Sequence, residues 1–99
     1  MAKEYQLRMY EVAEGKMSEF LAIFPAVVEA RRSVGFDVVG VWTIPEENKF
    51  VWIVSTDEPG GIGALTDAYY ASPLRAAIDP EPASFLDKIE TRLMQAVSF

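Results

Sequence analysis

Hydrophobic and polar residues alternate over residues 5–12, near the start of the chain, and again over residues 89–97, near its end. Alternation with a period of two is typical of a β-strand with one buried face. The pattern therefore predicts that these two stretches are the first and the last strand of the fold. In the first stretch one face carries Tyr5, Leu7 and Met9, and the other carries Gln6, Arg8, Tyr10 and Val12.

Residues 16–34 carry apolar residues at the spacing of a helix, which predicts an amphipathic helix with one apolar stripe. Arg31 and Arg32 fall in its last turn, where cations favour the negative end of the helix dipole, and Gly35 ends the helix. Pro25 lies in the middle and removes a backbone donor, so a kink or a break is predicted there. The predicted stripe consists of Met17, Phe20, Leu21, Phe24, Val27 and Val28.

Residues 36–44 and 50–56 are predicted to be two strands of a hairpin, joined by the polar turn "PEENK". Both faces of this hairpin are largely apolar, whereas an antiparallel sheet with one solvated face alternates between apolar and polar residues. A second copy of the chain is therefore predicted to cover the face that the helices leave bare. In residues 36–44 the predicted faces are Phe36, Val38, Gly40, Trp42 and Ile44 against Asp37, Val39, Val41 and Thr43.

The rest of the chain completes the order of elements. Residues 64–72 predict a second, short helix, and residues 79–88 predict a further helical turn with Asp79 as its cap and Pro80 at its first position. The resulting order β-α-β-β-α-β predicts an α+β fold of the ferredoxin-like type, with a four-stranded antiparallel sheet. Residues 1–99 are expected to form a single domain.

Composition narrows the chemistry. The net charge of −6 disfavours nucleic acid and anionic membranes as partners. The chain has no cysteine and no histidine, which excludes thiolate and imidazole catalysis and the common transition-metal sites. No acidic spacing of the calcium-loop type occurs, so neither a metal nor a cofactor is predicted. No apolar run of about 18 residues occurs, so we predict no membrane span and expect a cytoplasmic protein.

Several short motifs together resemble the NIPSNAP family, which typically shows an "LR-x-Y" strand, a "G-K" turn and a "G-x-W" hairpin strand. The resemblance implies the dimeric α/β-barrel superfamily, in which two ferredoxin-like subunits pack sheet against sheet. Relatives in that superfamily include cofactor-free monooxygenases, isomerases and proteins without known activity. The family often has a tryptophan where this chain has Pro82. The matching residues are Leu7-Arg8-Met9-Tyr10, Gly15-Lys16, Glu19-Phe20, Gly35-Phe36, Val39-Gly40-Val41-Trp42-Thr43, Asp79-Pro80-Glu81, Phe85-Leu86 and Thr91-Arg92-Leu93-Met94.

Arg8 and Tyr10 are two residues apart on a strand and therefore point the same way. One interpretation makes them the polar anchors of a cleft, with Arg8 binding a carboxylate or enolate and Tyr10 donating or abstracting a proton. The alternative is that Arg8 pairs with a carboxylate on a neighbouring strand, such as Asp37 or Glu90, and that Tyr10 packs at a dimer seam.

The remaining candidates are aromatic. Trp42 and Trp52 are interpreted either as an aromatic wall for a flat ligand or as a pair facing each other across the hairpin. Tyr69 and Tyr70 belong to the second helix, and only one of them can face the sheet. Tyr69 is taken as the candidate ligand-binding residue. Arg75 and Arg92 are predicted to pair with acidic groups at the surface or an interface.

The sequence thus predicts a NIPSNAP-like homodimer of undefined activity that binds a small apolar or aromatic molecule between sheet and helices. One alternative is a cofactor-free monooxygenase or isomerase acting on an aromatic or polyketide-like substrate, with a tyrosine, a carboxylate or the substrate itself as base. The other is a structural dimer whose cleft is filled by its own side chains. A cleft on the order of a few hundred Å³ would favour the first two.

Overall fold

A four-stranded antiparallel sheet forms the framework in the computed structural model, which describes residues 3–99. The strands lie in the order β2-β3-β1-β4, so the first and third strands of the chain occupy the centre. This order confirms the predicted ferredoxin-like fold. The strands are β1 (Glu4–Val12), β2 (Asp37–Ile44), β3 (Lys49–Thr56) and β4 (Leu86–Met94).

The first crossover helix, α1, spans Met17–Ser33 and continues through Pro25, so the predicted break does not occur. Pro25 is exposed, and so is Leu21, whose carbonyl loses its helical partner at the proline. Solvent can bind that carbonyl, because it lies on the outside of the helix. Leu21 was therefore assigned wrongly to the apolar stripe. The buried stripe is Phe20, Phe24, Val27, Ala30 and Arg31.

The second crossover contains two helices, α2 (Gly61–Tyr70) and α3 (Pro73–Ala76). Helix α2 begins three residues earlier than predicted, where a carboxylate oxygen of Glu4 on β1 accepts the backbone N–H of Ile62 at 3.0 Å. Within residues 3–99, no helix is long and apolar enough to cross a bilayer.

The segment before β4 departs from the prediction in detail. A 3₁₀ turn spans Pro82–Phe85, and Glu81, not Asp79, caps it by accepting the backbone N–H of Ala83 at 3.4 Å. Pro82, not Pro80, takes the first helical position. The last strand begins and ends three residues earlier than predicted, at Leu86 and Met94.

A β-bulge in β2 changes which way its residues face. The register against β3 shifts between Val38 and Gly40, so Trp42 pairs with Val51 and Trp52 pairs with Val41. One extra residue moves every following side chain to the opposite face. The predicted pairing of Trp42 with Trp52 across the hairpin is therefore wrong, because the two indoles lie on opposite faces of the sheet.

The helices cover one face of the sheet, the inner face, where aromatic rings from strands and helix pack together. Phe24 of α1 meets Trp52 edge to face, with ring centres 4.8 Å apart. Tyr10 stacks on Phe50 at 5.8 Å. Such contacts add about 0.5–1.5 kcal/mol each beyond the burial of the rings. The inner face carries Arg8, Tyr10, Phe50, Trp52 and Val54.

The outer face has no helix on it within the described residues, and most of its side chains there are apolar. The edge of Trp42 lies across Gly40, where an added Cβ would come within 2.5 Å of the indole Cη2 atom. The glycine thus allows the indole to lie along the sheet. The outer face carries Leu7, Met9, Trp42, Val51 and Ile53, with Lys88, Glu90 and Arg92 along the β4 edge.

Candidate functional site

A cleft opens between the inner face and the helices. Its enclosed part has a volume of about 40 Å³, and the empty space reaches about 370 Å³ when the open mouth is included. The apolar lining comes from α1, the 3₁₀ turn and β4. The enclosed part has room for a few water molecules or one small polar group. Its polar and tyrosine lining consists of Arg8, Tyr10, Arg31, Tyr69, Tyr70 and Arg75.

The hydroxyl group of Tyr10 is the centre of a buried hydrogen-bond network. It accepts a hydrogen bond from Arg8 Nε at 2.8 Å and another from Trp52 Nε1 at 2.9 Å. The strand register makes this possible, because Arg8 and Trp52 are direct neighbours on β1 and β3. These two bonds use both lone pairs of the phenol oxygen, so its own proton is left to donate to a further acceptor.

Arg8 is buried, and its partners within the described residues are neutral groups. Besides Tyr10, it donates from Nη1 to the side-chain oxygen of Gln6 at 3.1 Å. The alternative prediction, a pair with Asp37 or Glu90, is wrong for a geometric reason. The register places Thr91 opposite Arg8, so that Glu90 points to the outer face, where it pairs with Lys88 at 2.9 Å. The prediction that Tyr10 packs at a dimer seam is also wrong, since Tyr10 lies beneath α1.

Arg31 is the site residue that the sequence reasoning missed. It is only 2% exposed, and its guanidinium carbon lies 3.9 Å from the centre of the Tyr69 ring. Its Nε and Nη1 atoms have no hydrogen-bond partner within residues 3–99. The signal was present in the sequence: Arg31 follows Phe24 and Val27 at helical spacing and so belongs to the apolar stripe. Its place in the last turn suggested an exposed cation instead.

The electrostatics of the cleft follow from burial and from the crowding of cations. Burial lowers the pKa of Arg31 below its usual value, and the nearby charge of Arg8 lowers it further. Burial also raises the pKa of Tyr69, although the charges of Arg31 and Arg75 oppose that shift. Both shifts disfavour ionisation, because little water reaches either group.

Arg75 closes one side of the cleft and is paired with a carboxylate. Its guanidinium forms a two-pronged ion pair with Glu81, with one arm at 3.1 Å. The hydrogen bond between them raises the pKa of Arg75 and lowers that of Glu81. The prediction that Arg75 and Arg92 pair with acids is confirmed, since Arg92 also lies 3.9 Å from Glu90. Arg8 and Arg31 have no such pair in the described part of the chain.

Four of the five predicted site residues come together on the inner side of the sheet. Arg8, Tyr10 and Tyr69 line the cleft. Trp52 does not line it but donates a hydrogen bond to the hydroxyl group of Tyr10. Trp42 does not belong to the group, because it is half exposed on the outer face.

Two other positions bear on the predictions for the site. Tyr69 is buried while Tyr70 is exposed, as expected for neighbours of which one faces the sheet. Pro82, where the family resemblance predicts a tryptophan, lines the cleft. Within residues 3–99, no three acidic side chains lie close enough together to hold a metal ion.

Solved structures with the same fold include NIPSNAP proteins, as the sequence motifs predicted. An uncharacterized NIPSNAP domain protein from Burkholderia xenovorans is 22% identical, with a TM-score of 0.83 over 97% of this chain and 96% of its own. A NIPSNAP family protein from Agrobacterium tumefaciens is 13% identical, with a TM-score of 0.88 over 99% of this chain and 89% of its own.

A third solved structure with the same fold is a candidate enzyme. A candidate antibiotic biosynthesis monooxygenase from Nitrosomonas europaea is 9% identical, with a TM-score of 0.75 over 97% of this chain and 91% of its own. No family model matches the sequence, and neither does any curated protein. At these identities the likeness establishes the fold, which is shared by NIPSNAP proteins and by this monooxygenase.

Proposed function

We propose that residues 1–99 act as one NIPSNAP-like domain, which forms a homodimer and binds a small apolar or aromatic molecule in the cleft. The observation that carries the proposal is the buried hydroxyl group of Tyr10, which accepts from Arg8 and Trp52 and keeps one proton to donate. A donor of this kind, among aromatic rings and beneath a helix, fits a ligand that has a flat body and a polar acceptor.

The dimensions of the cleft limit the part of the ligand that enters it. Pockets that enclose whole drug-sized ligands have volumes of roughly 300–1,000 Å³, whereas the enclosed part here measures about 40 Å³. The cleft thus falls short of the few hundred Å³ that would favour binding of a whole ligand. The proposed ligand therefore inserts one small polar group, and its body lies in the open mouth, where the empty space reaches about 370 Å³. Tyr70 and Ile89, both exposed, are the side chains available to cover that body.

The composition of the outer face supports the proposed homodimer. Leu7, Met9 and Ile53 lie side by side on it with no helix above them in the described residues. An apolar surface of this kind on a small chain is stabilised by association, and most soluble oligomers use a two-fold axis. The charged β4 edge fits the same arrangement, since Lys88 and Glu90 are already paired and place no unpaired charge at the contact.

Ligand binding can be tested with Trp52 as the reporter. The chain has two tryptophans, so Trp42→Phe leaves Trp52 as the only one. We expect its emission to change on titration with benzene derivatives that carry one polar acceptor. Tyr10→Phe in the same background should weaken that binding by about tenfold, since one hydrogen bond is lost. Tyr5→Phe, on the outer face, is the matched control and should bind as before. No response to any derivative would contradict the proposal.

The second candidate function is a cofactor-free monooxygenase or isomerase, and the fold shared with the Nitrosomonas protein favours it. In the monooxygenase, one oxygen atom would replace two substrate hydrogens as a carbonyl and the other would leave as water, so that the substrate supplies all the electrons. Arg8 would stabilise an enolate and Tyr10 would move a proton. A polyketide-like substrate would need a wider cleft. Oxygen uptake with a phenolic substrate that Tyr10→Phe abolishes would favour this candidate over simple binding.

A further inference from the structure

The donors of Arg31 are the least satisfied polar groups of the cleft. Its guanidinium lies among three aromatic rings, at 3.9 Å from Tyr69, 5.0 Å from Phe36 and 5.5 Å from Trp52. Ring faces stabilise the cation but do not replace acceptors for its in-plane N–H groups. Nε and Nη1 both lack an acceptor within residues 3–99. A buried arginine is normally paired, because an unpaired one loses its hydration without compensation.

The other charged groups around the cleft do not compensate the charge of Arg31. Arg8 lines the same cleft from β1 and, among residues 3–99, donates to the neutral groups of Tyr10 and Gln6. Glu81, next to the cleft-lining Pro82, is paired with Arg75. In the described part of the chain, whose full sequence has a net charge of −6, neither Arg8 nor Arg31 is therefore paired with a carboxylate. A negative group is what this site lacks.

We infer that the ligand of the cleft is a small aromatic or apolar carboxylate, whose carboxylate group is bound by Arg31 with Arg8 and the hydroxyl group of Tyr10 beside it. This inference rests on the proposed function and names its ligand class. Arg31 offers the planar fork of donors that matches a carboxylate. The enclosed volume of about 40 Å³ suits a group of three heavy atoms, and the rings around it suit a flat body in the mouth.

The position of Arg31 on its helix favours a carboxylate over a phosphate group. Arg31 lies in the last turn of α1, at the end where the helix dipole is negative. Phosphate sites commonly use the opposite end of a helix, where free backbone N–H groups point at the ligand. The carbonyl groups at this end disfavour negative charge, and they disfavour a doubly charged phosphate more than a singly charged carboxylate.

The test compares benzoate with benzamide, which has the same shape and no charge, by calorimetric titration at neutral pH. We expect the unaltered protein to bind benzoate at least about tenfold more tightly than benzamide, because a charge-assisted pair replaces a neutral contact. Arg31→Met should remove this preference, because it weakens the binding of benzoate much more than that of benzamide. Arg32→Met, which removes an exposed arginine next to Arg31 on α1, is the matched control and should keep the preference.

Each result distinguishes this inference from the proposed function. Equal binding of benzoate and benzamide to the unaltered protein would overturn the carboxylate inference and leave the proposed binding function standing. Binding of neither compound would overturn both. A preference for benzoate that survives Arg31→Met would assign the anion to another group and contradict the role of Arg31. Should Arg31→Met fail to fold, Arg31→Gln and the comparison in the unaltered protein still decide the question.

Discussion

The two faces of the sheet distribute charge in opposite ways. On the outer face the charges lie in water and are paired, with Lys88 within 4.0 Å of both Glu11 and Glu90. On the inner face Arg8 and Arg31 are buried and bind no carboxylate of the described chain. Folding stability alone would favour the opposite distribution of ion pairs. A surface ion pair contributes little to the free energy of unfolding, whereas a buried unpaired cation lowers it considerably.

This difference fits the two tasks proposed above, dimer formation and ligand binding. The outer face has neutralised charges and apolar side chains, which suits a permanent contact with a second copy. Within residues 3–99, the inner face keeps two cations without a carboxylate partner and a hydroxyl proton without an acceptor, which suits a ligand that binds reversibly. The inner face therefore lowers the stability of the protein in favour of binding. Substitutions on the inner face should affect folding stability and ligand binding, and substitutions on the outer face should affect the dimer.

The largest effect is expected from removing the two indoles one at a time. Trp52→Ala should lower the free energy of unfolding by about 3–5 kcal/mol, because Trp52 is fully buried beneath α1. Trp42→Ala should change the free energy of unfolding of the subunit by less than about 1 kcal/mol, since half of the residue is exposed. Its main effect should be a weaker dimer. Denaturant unfolding and light scattering measure both quantities. Equal losses of stability would contradict the division of the faces.

A charge in the middle of the outer face should separate the subunits. Leu7→Asp places a carboxylate opposite Ile53, where the proposed partner would desolvate it at a cost of roughly 2 kcal/mol or more. We expect the dimer to dissociate in size-exclusion chromatography with light scattering. Leu74→Asp is the control, because it makes the same change at an exposed position of α3. An unchanged mass for Leu7→Asp would show that the outer face is not the interface.

Removing the unpaired cation of the inner face should leave stability nearly intact. Arg31→Met replaces an uncompensated buried charge by an apolar chain of similar length, so the free energy of unfolding should stay within about 1 kcal/mol or rise. Chemical denaturation without ligand measures it. A loss of about 3 kcal/mol or more is expected only for a cation whose partner is left behind, and would mean that Arg31 is paired within the protein.

The smallest expected effect concerns alkaline pH. The pKa of Tyr69 is raised in the folded state, mainly by burial, so the folded protein holds this proton more tightly than the unfolded chain. The contribution is complete below the unfolded pKa, about 10, and is lost as the pH rises above it. Tyr69→Phe should therefore lose less stability above that pH than the unaltered protein. At neutral pH the phenol is not ionised, so the difference in the free energy of unfolding between the two proteins measures removal of the hydroxyl group alone. If the stability of both proteins fell equally with rising pH, the raised pKa of Tyr69 would be contradicted.

The fold could be predicted from the sequence because its periodicities are clear. Alternation over β1 and helical spacing over α1 are local signals, and they define the element order that closes the sheet. The bulge before Gly40 could not be predicted, since both faces of β2 are apolar and an extra residue leaves no mismatch in the pattern. Trp42 was placed on the wrong face for this reason.

The site could be predicted in part. Arg8 and Tyr10 share a strand face, so their proximity follows from geometry. Arg31 was missed because two signals in the sequence conflict. Its spacing from Phe24 and Val27 assigns it to the buried stripe of α1, whereas its place in the last turn suggests a cation that interacts with the helix dipole. Only the packing of Tyr69 over its guanidinium decides between them.

The central claim is that a second copy of the chain covers the outer face while the inner cleft stays free for a ligand. A native mass spectrum of freshly purified protein tests it most directly. We expect twice the chain mass of 11.0 kDa for the unaltered protein and for Arg31→Met. Leu7→Asp should give the single-chain mass. A single-chain mass for the unaltered protein would contradict the proposed homodimer.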